Sequence, residues 1–429
     1  MNDIRLCENG EARREVEELI AGAPSAPDLT DPRQARWVRQ AADRLVALCR
    51  SEEEARRLED ALYARTEGRL PVLFLLALRN AISKLYVRRI ERPVKVSMVF
   101  AMYKEVERMQ EKSPAHPYGE NFLEAKARQM QWLFGDNPHV EWELIAVDDG
   151  CPLGSGREAE KIIRRKKLPH FRVLYLEEAI RAGLPVTAPM QSPAESQKGG
   201  AIAYGMWEAA RQAFDGAHIV AYTDADLSTH LGQTGLLMEP LLEAGKKAAI
   251  GSRREPRSVS LKKGLRNDRG KFFIYLWKKM LPELDFITDT QCGFKAFTAP
   301  VVRQITEDLM EKKFAFDIEL LLKTVLLDKN GIAIVPIVWI DSEAASTTTA
   351  LSPYLNMLQQ VARMQQKYVR PGEQAARWAR FVLSLDQGDF EYLLQHIPDP
   401  IRRMDPKDFG SFDGVKPEDL EALLRGRRA

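Results

Sequence analysis

Ile219-Val220-Ala221-Tyr222-Thr223-Asp224-Ala225-Asp226-Leu227-Ser228 is the stretch on which the fold turns. Its first half is apolar and β-prone, the pattern of a short buried strand, and two carboxylates follow where that strand runs out. Residues i and i+2 of an extended chain point to the same side. Asp224 and Asp226 can therefore reach one divalent cation or one metal-bound diphosphate, and magnesium or manganese suits such hard oxygen ligands. The competing reading is that the pair caps the next turn or helix, a common use of Asp.

Upstream, Val94 to Phe100, Val140 to Val147 and Phe171 to Leu176 read as strands. Helical spacing separates them, over Glu120 to Phe134, Glu158 to Lys167 and Gly200 to Phe214. Strands alternating with helices imply an α/β fold, a mostly parallel sheet covered on both faces. Ligands of such sheets bind beyond the carboxyl ends of the strands. Tyr103 and Glu105 follow the first strand, Asp148-Asp149-Gly150 the second, and Asp224 and Asp226 the fourth, so a common crevice is expected. Glu195-Ser196-Gln197-Lys198-Gly199-Gly200-Ala201 adds a lysine at a helix start, where free N–H groups and the helix dipole favour an anion. The plainer reading of Lys-Gly-Gly is a flexible start to the helix.

At 429 residues the chain exceeds what one core usually organises. The α/β pattern occupies about 93–349, with α-helical regions over 1–92 and 350–429. Lys and Arg number 63 against 61 Asp and Glu, a formal net charge of +2, which excludes a nucleic-acid binder working by overall charge. The longest apolar run, Leu70 to Leu78, stops at Arg79, short of a membrane span. The start of the chain lacks the apolar core of a signal peptide, and Cys7, Cys49, Cys151 and Cys292 are scattered, so a cytoplasmic protein with reduced thiols is expected. Lys84, Arg88, Arg89 and Arg92 close the helix Leu70 to Arg89, which reads either as packed against the next domain or as lying peripherally on an anionic membrane.

The motifs in order, Asp148-Asp149-Gly150, Gln197-Lys198-Gly199-Gly200-Ala201, Thr223-Asp224-Ala225-Asp226 and Gly251-Ser252-Arg253, resemble the family 2 glycosyltransferases of GT-A fold. Asp289-Thr290-Gln291-Cys292-Gly293-Phe294-Lys295-Ala296-Phe297, followed by Phe316-Asp317-Ile318-Glu319-Leu320-Leu321, is similar to the polyprenyl-phosphate (dolichyl-phosphate) glucosyltransferase branch. The resemblance covers roughly residues 93 to 346. It implies an inverting, metal-dependent hexosyltransferase using a nucleotide-sugar of UDP-glucose or GDP-mannose type. Tyr103, Glu105 and Asp149 would hold the base and ribose, with Lys198 and Arg253 near the donor. Asp224 and Asp226 would bind Mg2+ or Mn2+, Asp224 also positioning the sugar nucleotide. The family's proline before the tyrosine and asparagine after it are missing from Phe100-Ala101-Met102-Tyr103-Lys104-Glu105.

Breaking a glycosyl–phosphate bond needs charge stabilisation on the leaving diphosphate. A hydroxyl acceptor also needs a base, and a phosphate acceptor does not. Asp289 is the first candidate for that base and Asp317 the second, against a turn cap and a helix N-cap. On the acceptor side the resemblance places Arg266, Arg269, Gln291 and Trp339, the last reading either as stacked near the acceptor sugar or as core. The aromatic-rich segment Phe272 to Lys279 reads either as an apolar face for a lipid tail or as core. A last strand runs from Ile332 to Ile340, and the loop from Asp341 to Thr349 resembles the family segment that folds over the site. The lipid-phosphate branch often carries membrane-spanning helices and this chain has none, so a soluble acceptor competes with a polyprenyl phosphate. A nucleotide-sugar-binding scaffold and a sugar nucleotidyltransferase are the alternative classes, the second lacking its glycine-rich signature here.

Overall fold

The computed structural model describes residues 10–261, 267–342 and 352–428. A seven-stranded sheet is built from β1 (Val94–Met102), β2 (Val140–Asp148), β3 (Phe171–Tyr175), β4 (Ala217–Thr223), β5 (Ala248–Ser252), β7 (Phe294–Thr298) and β8 (Ile332–Pro336). Its order is β3-β2-β1-β4-β7-β5-β8, all parallel except β7, which runs antiparallel to both its neighbours. A two-stranded parallel ribbon pairs β6 (Val259–Leu261) with β9 (Val338–Ile340). This is the mostly parallel, helix-covered α/β sheet expected, with helices added at both ends.

The period-2 pattern of the strands sorts the core into two faces. Val94, Val96, Met98, Phe100 and Met102 of β1, with Ile219 and Ala221 of β4, pack on the side of the N-terminal helices. Val99, Val220 and Tyr222 face the other side, with the C-terminal helices. On the first side the helix Val72–Arg88 is buried along nearly its whole length. Lys84 of that helix is buried and its Nζ lies 2.9 Å from Asp136, while Ser83 Oγ accepts the Gly235 N–H at 2.8 Å. The body of this helix is thus packed against the protein, the first of its two readings, while Arg88 and Arg89 at its end stay about half exposed.

The aromatic segment is likewise core. Phe272, Tyr275 and Trp277 are fully buried in the helix Asn267–Met280. Tyr275 meets Trp378 and Phe409 edge to face, and Phe272 stacks near Phe390. A lipid-facing role is overturned because the C-terminal helices cover this face. The expected last strand divides at Pro336-Ile337. Pro336 lacks an N–H and ends the pairing with β5, and the next residues pair with β6 instead. Among the described residues no helix is long and apolar enough to cross a membrane.

One contact between the N-terminal helices and the sheet responds to acid. His230 Nδ1 accepts the Gly232 N–H at 3.0 Å and faces Asn80 Nδ2 at 3.2 Å, so its ring nitrogen is needed unprotonated. Burial pushes the imidazole down to about 3 from its ordinary 6.5. The unfolded chain therefore binds a proton that the fold refuses, and the stability contributed above 6.5 is lost as pH falls. Between pH 7.5 and 5.0 the urea-derived stability should fall by about 2 kcal/mol through this group. His230→Asn keeps an acceptor that does not titrate and should lose that fraction of the slope; an unchanged slope would contradict this assignment.

Candidate active site

The crevice is assembled at the carboxyl ends of β1, β2 and β4, where parallel strands deliver side chains from distant parts of the chain. After β2 the two aspartates separate in role. Asp148 accepts from the N–H groups of Cys151 at 2.8 Å and Gly156 at 2.6 Å, locking the turn into the helix Ser155–Lys166. Asp149 Oδ2 accepts the Lys198 N–H at 2.7 Å, but its buried Oδ1 has no partner. Burial pushes the Asp149 carboxyl up to about 6.

Lys198 itself has φ +76° and precedes the helix Gly199–Ala210. Its Nζ forms a short ion pair with Asp224 Oδ1. Two of the N–H groups expected to cradle an anion are taken by protein. The Gln197 and Gly200 N–H groups both bond the Lys312 carbonyl, at 3.1 and 2.8 Å. A side chain on Gly199 would meet the Lys313 carbonyl oxygen at 2.4 Å, so this glycine serves backbone packing. Lys198 reaches the crevice through its ammonium group.

Asp224 and Asp226 leave β4 together and lie among further charges. Gly293 allows Asp224 to sit against β7, since a Cβ there would fall 2.3 Å from its Oδ2. The ammonium of Lys198 holds Asp224 below the usual carboxylate range against its burial. Asp226 goes the other way, raised by burial and by the neighbouring Asp224. Glu105 and Glu120 are both pushed up to about 7, chiefly by burial, with Asp226 adding to each. Arg108 lies 3.2 Å from Glu105 and 3.7 Å from Glu120. Lys126, fully buried, donates to the Asp226 carbonyl at 2.9 Å, and burial drags its ammonium down to about 8.

Sequence reading missed Arg108, Glu120 and Lys126. Lys126 was the findable one, because it occupies an apolar-face position among Phe122, Leu123, Ala127 and Met130 of the helix Phe122–Phe134. A lysine on that face must find a hydrogen-bond acceptor inside the protein, here the Asp226 carbonyl.

The two expected bases are both engaged. Asp289 accepts from Arg253 three times, from its backbone N at 2.8 Å and from Nε and Nη2 at 2.7 Å each. That guanidinium holds the Asp289 carboxyl well below the usual range despite complete burial. A carboxylate so held is a poor proton acceptor at neutral pH, which corrects the role expected of it. Asp317 is buried, and its Oδ1 accepts from the Tyr222 hydroxyl and from Lys295 Nζ at 2.6 Å. The N-cap position belongs to Ala315, so the capping alternative also fails.

Of the remaining residues, Tyr103 is exposed at the rim, with Lys104 Nζ over its ring at 5.4 Å. Trp339 is buried beneath Arg253, 4.9 Å from guanidinium carbon to ring centroid, and its Nε1 donates to Asp341. Gln291 keeps a buried Nε2 with no partner. Arg269 is exposed and makes no ion pair or side-chain hydrogen bond to the crevice among the described residues. Arg266 and the loop segment 343–349 lie outside the described residues.

Among the described residues no three His, Cys, Asp or Glu side chains stand together as a ready metal cage. Asp224 and Asp226 nevertheless fit a hard cation of the magnesium type, which commonly takes one or two carboxylates and completes its shell with phosphate oxygens and water. The charge around them favours such an ion: Glu105, Glu120, Asp224 and Asp226 face Arg108, Lys126 and Lys198.

No model of a known protein family matches the chain, and no curated protein matches it either. Solved structures do resemble it. Glucosyl-3-phosphoglycerate synthase from Mycobacterium tuberculosis, in complex with Mn2+, UDP and glucosyl-3-phosphoglycerate, is 19% identical with a TM-score of 0.42, over 66% of this chain and 82% of that one. Mannosyl-3-phosphoglycerate synthase from Rubrobacter xylanophilus is 16% identical with a TM-score of 0.45, over 68% of this chain and 80% of that one.

The Arg253–Asp289 pair gives a direct stability test. Asp289→Ala strands a buried guanidinium and should cost about 3–5 kcal/mol in urea unfolding. Replacing both partners, Arg253→Met with Asp289→Leu, should recover much of that loss. A loss under about 1 kcal/mol for the single variant would contradict the pairing as described.

Proposed function

We propose that the chain is a metal-dependent glycosyltransferase that moves a hexose from a nucleoside-diphosphate sugar to an acceptor. The observation that carries this reading is the Lys198–Asp224 ion pair beside Asp226, set among more buried carboxylates than cations at the carboxyl ends of parallel strands. Such a site is short of positive charge in a place where burial magnifies electrostatics. A divalent cation brought in with a diphosphate relieves that shortage.

In this reading Asp149, with its unpartnered Oδ1, takes a donor hydrogen from the base or ribose, and Tyr103 offers an exposed ring beside it. Asp224 and Asp226 hold Mg2+ or Mn2+, which supplies Lewis-acid stabilisation of the leaving diphosphate. Lys198, now paired with Asp224, is placed to share its charge with the phosphates. Gly293 keeps the Asp224 carboxylate close to β7. Asp289 is a positioning residue, which fixes the Arg253 guanidinium over Trp339. Gln291 presents an unpaired amide donor to the acceptor side.

The engagement of Asp289 and Asp317 bears on the acceptor. With both carboxylates tied to cations, an acceptor oxygen that is already ionised fits better than a neutral hydroxyl that must lose a proton. A phosphate or carboxylate acceptor is therefore our reading, and it needs no lipid tail.

Release of nucleoside diphosphate from a panel of sugar nucleotides, with manganese, tests the assignment. The wild type should turn over one donor, and Asp226→Asn should lose at least about 100-fold in turnover, in line with the removal of a group that stabilises charge in the transition state. Gly293→Ala should lose activity comparably while keeping a near-wild-type melting point. Full activity in Asp226→Asn would overturn the metal assignment, and no release from any sugar nucleotide would overturn the enzyme reading.

A further inference from the structure

The core beneath the crevice holds a charge pair that packing alone does not require. Lys295 of β7 is fully buried, and Asp317, at the start of the helix Phe316–Leu327, is 3% exposed. Their ion pair spans 2.6 Å. Aromatic rings surround it, with Tyr222 lying 5.6 Å from Phe316 and 6.4 Å from Phe297 between ring centroids. A buried pair of this kind adds little net stability, because desolvating two charges offsets their attraction and apolar residues of similar volume commonly serve as well. Its use must be sought in what it touches.

Lys295 stands opposite Tyr222 in the antiparallel pairing of β4 with β7. Asp317 Oδ1 accepts from both, from the Lys295 ammonium and from the Tyr222 hydroxyl. The same ammonium donates to the Cys292 carbonyl at 2.5 Å. Cys292 immediately precedes Gly293, the residue against which the Asp224 carboxylate rests: a Cβ there would fall 2.3 Å from its Oδ2 and 2.4 Å from its Oδ1. Tyr222, for its part, lies near the end of β4, two residues before Asp224. One carboxylate oxygen therefore ties together the two backbone segments that set where Asp224 can be, the end of β4 and the turn that enters β7.

We propose that Asp317 and Lys295 are positioning residues for the metal site, fixing the Asp224 carboxylate through Tyr222 and through the Cys292–Gly293 peptide. The inference rests on the reading of Asp224 and Asp226 as the metal pair. Neither Asp317 nor Lys295 touches the ion. They form the outer layer of hydrogen bonds that orients a ligand, and loss of such a layer typically weakens metal binding about 10–100-fold. Asp317 thereby has a role in the crevice without accepting a proton from the acceptor.

Manganese binding to the full chain, with the free ion counted by electron paramagnetic resonance, tests this. The wild type should bind an ion that Asp226→Ala loses. Lys295→Met with Asp317→Asn removes both charges together, strands neither and keeps an acceptor for the Tyr222 hydroxyl, so Tm should stay near wild type. Its manganese affinity should nevertheless fall about tenfold. Tyr222→Phe deletes only the hydroxyl and should weaken binding about fivefold, the worth of one hydrogen bond; it carries the test if the double variant does not fold. As a control, Arg79→Met with Glu59→Gln removes a buried ion pair of the N-terminal helices, 3.1 Å apart, and should leave manganese affinity unchanged. Wild-type affinity in the double variant or in Tyr222→Phe, or an equal loss in the control, would overturn the proposal and leave the metal site standing. No ion bound by the wild type, or undiminished binding in Asp226→Ala, would instead overturn the metal site itself, and the proposal with it.

Discussion

Everything at the crevice depends on how the charge of Asp224 and Asp226 is balanced. Asp224 has the ammonium of Lys198, and Asp226 has only more distant cations and a neighbour of its own sign. Two further carboxyls, on Glu105 and Glu120, crowd the same volume and are pushed towards neutrality. In water such groups would be independent, but in a buried site each raises the cost of the others. An arrangement of this kind costs stability, and proteins retain it where function uses the unbalanced charge. The proposed metal and diphosphate are the chemistry that this imbalance suits.

The rest of the fold holds that imbalance in place. Parallel strands aim their ends at one edge, and both faces of the sheet are buried under helices from opposite ends of the chain. The backbone near Asp226 is fastened from behind, with Lys126 on its carbonyl and Glu120 on the next N–H. On the far side, Gly293 lets β7 approach closely enough to fix Asp224. The antiparallel β7 thus brings the Asp-Thr-Gln-Cys-Gly segment to the crevice, where Asp289 meets Arg253 and Arg253 lies over Trp339.

What the sequence made legible follows from which signals are local. The strand before Asp224 could be read because four apolar or aromatic residues, Ile219 to Tyr222, run up to Thr223 and the acids. The long helices were readable from their spacing to within a few residues. The short strands β5, β6 and β7 were not, because three to five residues carry too little period and gain their pairing from distant partners. The division at Pro336 was visible as a proline, yet its consequence depended on β6 waiting beside it.

The site shows the same limit. Asp149, Lys198, Asp224 and Asp226 converge, as their positions at strand and helix ends implied. The roles of Asp289 and Asp317 were not legible, because their partners Arg253, Tyr222 and Lys295 lie 22 to 95 residues away. An aspartate in a polar motif reads as a base until the cation that occupies it is known. Lys198 shows the reverse case: its side chain meets the crevice, while the nearby N–H groups of Gln197 and Gly200 are taken by Lys312. Sequence showed where charge gathers, and tertiary contacts decide which of it is free.

The most direct measurement is calorimetric titration of the chain with nucleoside diphosphates, in manganese and in chelator, for the wild type and Asp226→Ala. The charge shortage predicts one nucleotide bound at least about tenfold more tightly with metal, a difference of roughly 1.4 kcal/mol, and no metal effect in the variant. Equal affinity with and without metal, or no nucleotide bound at all, would contradict the account.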